Sequence, residues 1–163
     1  NAPFTTRLAP PDIAGERLDV SGTVFAADCE TPLPGVLIEV WHADPDGRYL
    51  PGAFRGRFVT DAWGRYRFET IKPSRYASAA KFIPAHIHFT LNYPGSPSLT
   101  TQLLFQDDPF LLTHNLSSAE QRLTRPLLRN GARWRVQFDL SLSVDPPRLT
   151  PDIVTWYRVH RPS

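Results

Sequence analysis

Two histidines separated by one residue are the strongest chemical signal in this 163-residue chain. His86 and His88 lie within the apolar run Pro84 to Phe89. Because successive side chains of a β-strand point to opposite faces, both imidazoles share one face while Ile87 and Phe89 share the other. We expect the face with the two imidazoles to point inward. Neighbouring imidazoles suit transition metals such as zinc, copper and iron. The pair therefore predicts half of a metal centre.

A carboxylate or a third histidine would complete one kind of centre. One acid would give a two-histidine, one-carboxylate triad, and a third histidine would give a zinc site with an open position. The available aspartates are Asp44, Asp46, Asp61, Asp107 and Asp108. All five lie in turn-like sequence, where hydrogen bonds to the local backbone explain them without a metal. The other histidines are His42, His114 and His160. Their turn or tail contexts indicate surface or hydrogen-bonded polar residues.

Tyrosine is another kind of partner. Tyr49 follows the turn Asp46 to Arg48, and Tyr76 follows the segment Ile71 to Arg75. A free phenol has a pKa of about 10, so it binds as phenolate only to a strongly acidifying ion such as Fe(III). Two phenolates, two neutral imidazoles and a hydroxide would give iron five ligands and balance its three charges. Spacing alone leaves these alternatives open.

Short alternating segments separated by turns must position these residues. Strands are predicted at Leu18–Phe25, Val36–Trp41, Arg57–Thr60, Arg65–Phe68, His86–Asn92, Thr101–Phe105 and Arg133–Val144. The turn at 61–64 predicts a hairpin between its two flanking strands. A capping box from Ser117 to Glu120 predicts a helix that runs on over Arg122–Leu128, where Pro126 kinks or ends it.

Many short strands at even spacing predict an all-β fold, an antiparallel β-sandwich or barrel with long loops and one short helix. One domain is expected over residues 1–163, with 148–163 as an added strand or a strap over the body.

The composition excludes several function classes. Eighteen basic and sixteen acidic residues leave a net charge of +2, too small to indicate nucleic-acid binding. No apolar run reaches the roughly 18 residues that a membrane span needs. Cys29 is the only cysteine, which rules out an intrachain disulfide and a cysteine-rich metal site. Because the chain starts at Asn1 and has no methionine, we expect a processed product. Secreted, periplasmic and cytoplasmic locations stay open, as does a homo-oligomer.

Several motifs follow one another in a recognisable order. They are Val36–Tyr49 (VLIEVWHADPDGRY), Phe58–Phe68 (FVTDAWGRYRF), Glu69–Tyr76 (ETIKPSRY) and Pro84–Phe89 (PAHIHF), continued by Thr101–Phe105 and Asp108-Pro109. This order resembles the intradiol ring-cleavage dioxygenases, the family of the catechol and protocatechuate dioxygenases. The resemblance covers roughly the first two thirds of the chain, and it implies a prealbumin-like sandwich core.

The resemblance also implies a cofactor and a reaction. Tyr49, Tyr76, His86 and His88 would hold Fe(III), and Tyr76 would leave the iron when substrate binds and help take up a substrate proton. The substrates would be a catechol-type aromatic diol and O2. The ring would open between its two hydroxylated carbons to give a muconate-type diacid.

One position departs from the family pattern. An arginine that steadies the bound ring usually precedes the Pro-Ala-His-x-His block, and this chain has Ile83 there. We expect a more apolar pocket, with Arg57, Arg75 or Lys81 as substitute cations and Gln102 as a pocket-lining residue. The alternative is a β-sandwich binding module that holds a metal and is catalytically inactive.

Overall fold

The structure is a computed structural model that describes residues 2–78, 81–111 and 116–147, with 76–78, 81 and 82 described as backbone alone. The strands are β1 (Arg17–Phe25), β2 (Leu37–His42), β3 (Arg55–Val59), β4 (Arg65–Ile71), β5 (Tyr76–Ser78), β6 (Lys81–Ile83), β7 (His86–Asn92), β8 (Leu99–Phe105), β9 (Thr124–Arg125), β10 (Leu128–Asn130), β11 (Arg133–Gln137) and β12 (Leu140–Ser141). The helix is α1 (Ser118–Leu123). The strand or strap predicted at 148–163, His114 and His160 lie outside the described residues.

Two five-stranded sheets face each other. In the first sheet β4 pairs with one edge of β1, β11 and β12 pair with its other edge, and β10 pairs with β11. The second sheet has the order β3-β2-β7-β8-β9, and β5 and β6 form a separate hairpin. Most ladders are antiparallel, but β1 pairs in parallel with β11 and β12, and β8 pairs in parallel with β9. The predicted all-β sandwich is confirmed, with these parallel pairings in addition.

Aromatic side chains from both sheets fill the space between them. Phe89 of β7 lies 6.0 Å from Phe68 of β4 and 5.3 Å from Phe138, measured between ring centroids. Ile87 belongs to the same buried core. Since Ile87 and Phe89 point inward, the alternate residues of β7 lie on the outer face of the second sheet. The predicted placement of His86 and His88 on one common face is confirmed, but the expected inward direction of that face is wrong, because the core takes Ile87 and Phe89 instead.

The predicted hairpin between β3 and β4 is wrong. β3 pairs with β2 and β4 pairs with β1, so the turn at 61–64 passes from one sheet to the other. Both strands carry buried aromatic residues, and Phe58 packs against Phe68 across the core with ring centroids 5.6 Å apart. Burial of these rings between the sheets separates two strands that neighbour each other in sequence.

The strand predicted over 133–144 is interrupted at Phe138 and Asp139. There the carbonyl of Phe138 accepts a hydrogen bond from the buried Tyr66 hydroxyl. It also lies 2.1 Å from the point that a Cβ on Gly22 would occupy. Only glycine permits this approach, so the path of the chain at Phe138 requires glycine at position 22.

The helix is shorter than predicted. Its start is confirmed, because the Ser117 hydroxyl accepts from the backbone of Glu120 and the Glu120 carboxylate accepts from the backbone of Ser117. It ends at Leu123, since the next two residues pair with β8 as β9. The residue before a proline also disfavours helix, which makes Arg125 a poor helical position. No helix among the described residues is long and apolar enough to cross a membrane.

Candidate metal centre

Three donor atoms from two distant parts of the chain meet at the outer face of the second sheet. The Tyr49 phenol oxygen lies 3.2 Å from Nε2 of His86 and 3.1 Å from Nε2 of His88. The two Nε2 atoms lie 3.0 Å apart. The structure therefore brings together three of the four residues predicted to bind metal.

A backbone hydrogen bond orients the first imidazole. Nδ1 of His86 lies 2.7 Å from the carbonyl oxygen of Pro84. A carbonyl oxygen only accepts, so Nδ1 carries the hydrogen and donates it, and Nε2 of the neutral ring presents its lone pair to the cluster. Burial lowers the pKa of His86 against the opposing effect of this hydrogen bond. The ring is thus held neutral and in the tautomer that binds metal.

The second imidazole is neutral as well. Burial, with a smaller contribution from His86, lowers the pKa of His88 to about 4. The indole of Trp41 stacks on its ring, with centroids 4.9 Å apart and planes at 15°. Gln102, which was predicted to line the substrate pocket, is the direct partner of His88 across the β7–β8 ladder. The register therefore places Gln102 beside the donor cluster.

A tight turn brings the phenol to the histidines. Asp44 is 2% exposed, and its carboxylate accepts from the backbone N–H groups of Asp46 and Arg48. Burial works to raise the pKa of Asp44, but these hydrogen bonds and the Arg48 side chain outweigh it and lower the pKa. Gly47 completes the turn at φ 78°, a conformation that favours glycine. Tyr49 is the first residue after this turn, next to Arg48.

The spacing of the donors fits a transition metal. Metal–ligand bonds of about 2.0–2.1 Å at right angles would place neighbouring donors about 3 Å apart. The three observed separations lie between 3.0 and 3.2 Å. Two neutral imidazoles and a phenol that can ionise also match a hard trivalent ion, because such an ion favours the phenolate form.

The alternatives that use carboxylates or a third histidine are not found in the described part of the chain. No group of three or more His, Cys, Asp and Glu side chains there could hold a metal. Asp108 instead accepts hydrogen bonds from the backbone of Ala85 and Phe110 and so anchors the start of β7. Asp107 forms an ion pair with Lys72 at 2.7 Å. These aspartates support the loops around the cluster.

His42 is a buried structural residue. It is 1% exposed, its Nδ1–H donates to the carbonyl of Ala43 at 2.7 Å, and the Thr70 hydroxyl donates to its Nε2 at 2.6 Å. Burial lowers its pKa to about 4. The prediction of a hydrogen-bonded polar residue is confirmed. The predicted turn context is wrong, because β2 continues through His42, where the Thr70 bond joins the two sheets.

The remaining predicted site residues are placed differently. The backbone of Tyr76 pairs with Ile83 in the β5–β6 hairpin, and the Tyr76 side chain lies outside what the structure describes. The guanidinium of Arg57 lies 5.7 Å from the ring centroid of Phe4, on a strand separated from β7 by β2. The structure does not bring Arg57 against the three donors, so its substrate role stays a prediction.

A cavity of about 280 Å³ adjoins Tyr49. Its lining residues are Trp41, His42, Tyr49, Leu50, Pro51, Ala53 and Arg55. A cavity of about 150 Å³ is enough to bind benzene, so this one has room for an aromatic ring. Two larger cavities, of about 550 and 560 Å³, are lined by none of the three donor residues.

Sequence reasoning missed Trp41, the residue stacked on His88. Its contact depends on the register between β2 and β7, which pairs Trp41 with His88. The available signal was local: Trp41 lies in an alternating strand with buried Val40 on the opposite face, so it had to point outward beside any metal site on that face.

Comparison with known proteins identifies relatives for most of the chain. The Dioxygenase_C family model, described as dioxygenase, matches residues 5–143. A chlorocatechol 1,2-dioxygenase from Rhodococcus opacus is 30% identical over 151 residues, which cover 77% of this chain and 58% of the relative. The protocatechuate 3,4-dioxygenase beta chain of Burkholderia cepacia is 40% identical over 114 residues, covering 60% of this chain and 48% of the relative. The chain thus spans about half the length of these curated relatives.

A solved structure covers more of its own length. It is the dioxygenase domain of a dioxygenase–carbohydrate-binding protein fusion from the cellulolytic bacterium Streptomyces sp. SirexAA-E. It superposes with a TM-score of 0.78 at 37% identity, covering 88% of this chain and 90% of that one.

Proposed function

The chain belongs to the intradiol ring-cleavage dioxygenase family, and from that premise we propose that it is a non-haem Fe(III) enzyme that cleaves a catechol-type aromatic diol. The observation that carries the proposal is the convergence of the Tyr49 oxygen and the two Nε2 atoms within 3.2 Å of one another. The relatives are named for cleavage of catechol, chlorocatechol and protocatechuate. Their names do not favour the alternative of an inactive metal-binding module.

Tyr49, His86, His88 and Tyr76 would hold the iron. The two imidazoles are neutral in the folded protein, so they offer lone pairs without losing a proton first. Tyr49 binds as phenolate after releasing its proton. When bound, Fe(III) supplies Lewis acidity that binds the diol oxygens and activates the ring toward O2.

The protein's own groups manage protons and orientation around that step. By the family resemblance the Tyr76 phenolate would take up one of the two diol protons, and the hydroxide of the predicted ligand set would take up the other and leave as water. The amide of Gln102, beside His88 in the ladder, orients the bound ring by hydrogen bonding. Both atoms of O2 enter the product, a muconate-type diacid, so the reaction needs no external reductant.

The absence of an arginine at position 83 favours a substrate ring without a negatively charged substituent. Ile83 is half-buried and supplies no charge to a developing anion. We therefore expect catechol to be a better substrate than protocatechuate, whose carboxylate would lie without a cation partner from this position.

Four measurements on the purified protein test the proposal: iron content, visible absorption, O2 uptake and product identity. Iron near one equivalent, a ferric-phenolate absorption band, and a muconate-type diacid formed from catechol with one O2 consumed per diol are expected. Protocatechuate and hydroxyquinol are tested in parallel. Bound iron without O2 uptake from any diol would support the inactive module, and a colourless protein without iron affinity would overturn the metal assignment.

A further inference from the structure

We infer that Trp41 is a positioning residue that holds the imidazole of His88 in the orientation that binds metal. The two histidines are oriented by different means. His86 is fixed by the hydrogen bond from Nδ1 to Pro84. His88 makes no such bond through Nδ1 within the described residues, and its ring lies against the indole of Trp41, with centroids 4.9 Å apart and planes at 15°.

The sheet itself builds the stack. Trp41 and His88 are direct partners across the β2–β7 ladder, and His88 and Gln102 are direct partners across β7–β8. Directly opposed side chains have Cβ atoms only about 4.5–5.5 Å apart. Trp41, His88 and Gln102 therefore form one row on the outer face, in which Trp41 and Gln102 flank the ligand histidine.

An indole face is well suited to this task. An offset aromatic stack restrains the plane of the imidazole, and that plane contains the Nε2 lone pair. The stack also gains strength when the imidazole becomes positively polarised, because the indole face carries negative charge density. Trp41 thus stabilises the metal-bound form of His88 more than the free form.

Arg55 extends the row on the other side of Trp41. Arg55 is the partner of Trp41 across the β2–β3 ladder, and both line the cavity beside Tyr49. Trp41 therefore has a ladder partner on each side, His88 on β7 and Arg55 on β3.

The first test uses the metal-free full chain, so it does not depend on the proposed function. The imidazole protons of His88 should show upfield ring-current shifts in the NMR spectrum. Trp41→Leu should remove most of these shifts, since only the more distant Tyr49 ring and the imidazole of His86 then remain beside His88, and Trp41→Phe should retain a larger part of them. Imidazole shifts in the unsubstituted chain that match those of an unstacked histidine would overturn the inference without any variant being made.

The second test rests on the proposed function, because it measures ferric iron itself. Loss of an outer partner of a metal ligand typically weakens affinity by about 10–100-fold, and we expect that loss in Trp41→Leu, by competition with a chelator. Trp41→Phe should recover most of the affinity, and the ferric-phenolate band should shift in Trp41→Leu. Trp63→Leu, at a tryptophan that lies against Arg65 instead, is the matched control.

The outcomes are separable. If the unsubstituted chain binds no iron but His88 shows the ring-current shifts, the proposed function fails and the stack stands. If Trp41→Leu is folded by circular dichroism and binds iron as the unsubstituted chain does, the positioning role is excluded. If Trp41→Leu fails to fold, Trp41→Phe and Trp41→Tyr are compared instead, because both keep an aromatic ring. An equal loss of iron affinity in these two variants would contradict restraint by stacking.

Discussion

Ile83 and Tyr76 are direct partners across the β5–β6 hairpin. The position at which this chain departs from its family is thus joined by a backbone ladder to the tyrosine predicted to exchange with substrate. This hairpin was not predicted from the sequence. It makes neighbours of two residues that lie seven positions apart in the sequence. Substitutions at position 83 therefore act beside the backbone of Tyr76, the predicted fourth iron ligand.

Restoring the family arginine should raise activity. We expect Ile83→Arg to increase kcat/KM for catechol by about tenfold, less than the 10²–10³ that one preorganised donor contributes, because no surrounding group has been arranged to hold the new side chain. The gain should be larger for protocatechuate, whose carboxylate the guanidinium could bind. Steady-state O2 uptake measures both.

Ile83→Met is the control for that substitution, since it changes shape without adding charge. Equal gains in both variants would show that pocket shape, and not charge, limits the reaction. A loss of activity in Ile83→Arg with unchanged iron content would contradict the expectation.

Removal of the Tyr49 oxygen should remove the metal centre. Tyr49→Phe deletes one of the three donor atoms, so ferric affinity should fall by on the order of 100-fold or more, beyond what loss of an outer partner costs. The visible band should weaken strongly. Tyr93→Phe removes a phenol that packs against the core elsewhere and should keep both colour and iron. Full colour in Tyr49→Phe would assign the chromophore to another phenolate.

Local features were predictable from the sequence, and long-range pairings were not. The alternation in β7 and the capping box of α1 depend on residues a few positions apart, and both were confirmed. The hairpin between β3 and β4 was wrong because burial of Phe58 against Phe68 depends on both sheets. The Trp41 stack was missed for the same reason, since it follows from the register of β2 on β7.

The donor cluster shows the same limit. The spacing of His86 and His88 predicted a shared face, but it could not choose among a carboxylate, a third histidine and a tyrosine. The residues alone offered Tyr49 as one of these alternatives, and only the family resemblance selected it. The structure then supplied what the spacing lacked, the 3.1 Å separation between the Tyr49 oxygen and Nε2 of His88.

A bidentate ion pair should stabilise the first sheet. Nε and Nη2 of Arg133 each donate to a carboxylate oxygen of Asp19 at 2.8 Å, and Asp19 is 7% exposed. We expect Asp19→Asn to lower the free energy of unfolding by about 1–3 kcal/mol, measured by urea denaturation at pH 7. Arg133→Lys should also destabilise, because an ammonium cannot reproduce the fork.

The pH dependence of that pair has a defined sign. Hydrogen bonds from Arg133 lower the pKa of Asp19 against the effect of burial. The stabilisation by this ion pair is therefore complete above about pH 4, the ordinary pKa of an aspartate, and is lost as the pH falls through the lowered pKa of Asp19.

The control for Asp19→Asn is the exposed pair of Arg129 and Glu16, with side chains 54% and 52% exposed. Glu16→Gln should lower the free energy of unfolding by under about 1 kcal/mol. Equal costs at Asp19 and Glu16 would contradict a special role for the fork.

Protonation of His42 should make the fold less stable in mild acid. Its pKa is lowered by burial to about 4, whereas an unfolded histidine titrates near about 6.5. Between these values the unfolded chain binds more protons than the native one, so the free energy of unfolding falls as the pH drops from about 6.5 toward 4. The full effect of this group is about 3 kcal/mol.

Substitution of His42 isolates its share of that slope. Urea unfolding of the metal-free protein between pH 7 and 4.5 gives the slope of the free energy of unfolding against pH. In His42→Gln this slope should be smaller by up to about 1.4 kcal/mol per pH unit, whatever the stability of the variant at pH 7. His86 and His88 are present in both proteins, so their contributions cancel in the comparison apart from the small electrostatic effect between His86 and His42. Thr70→Val removes the hydroxyl bonded to His42 but leaves the buried imidazole, so it should lower stability while keeping the slope. An unchanged slope in His42→Gln would show that the buried imidazole does not carry the acid sensitivity.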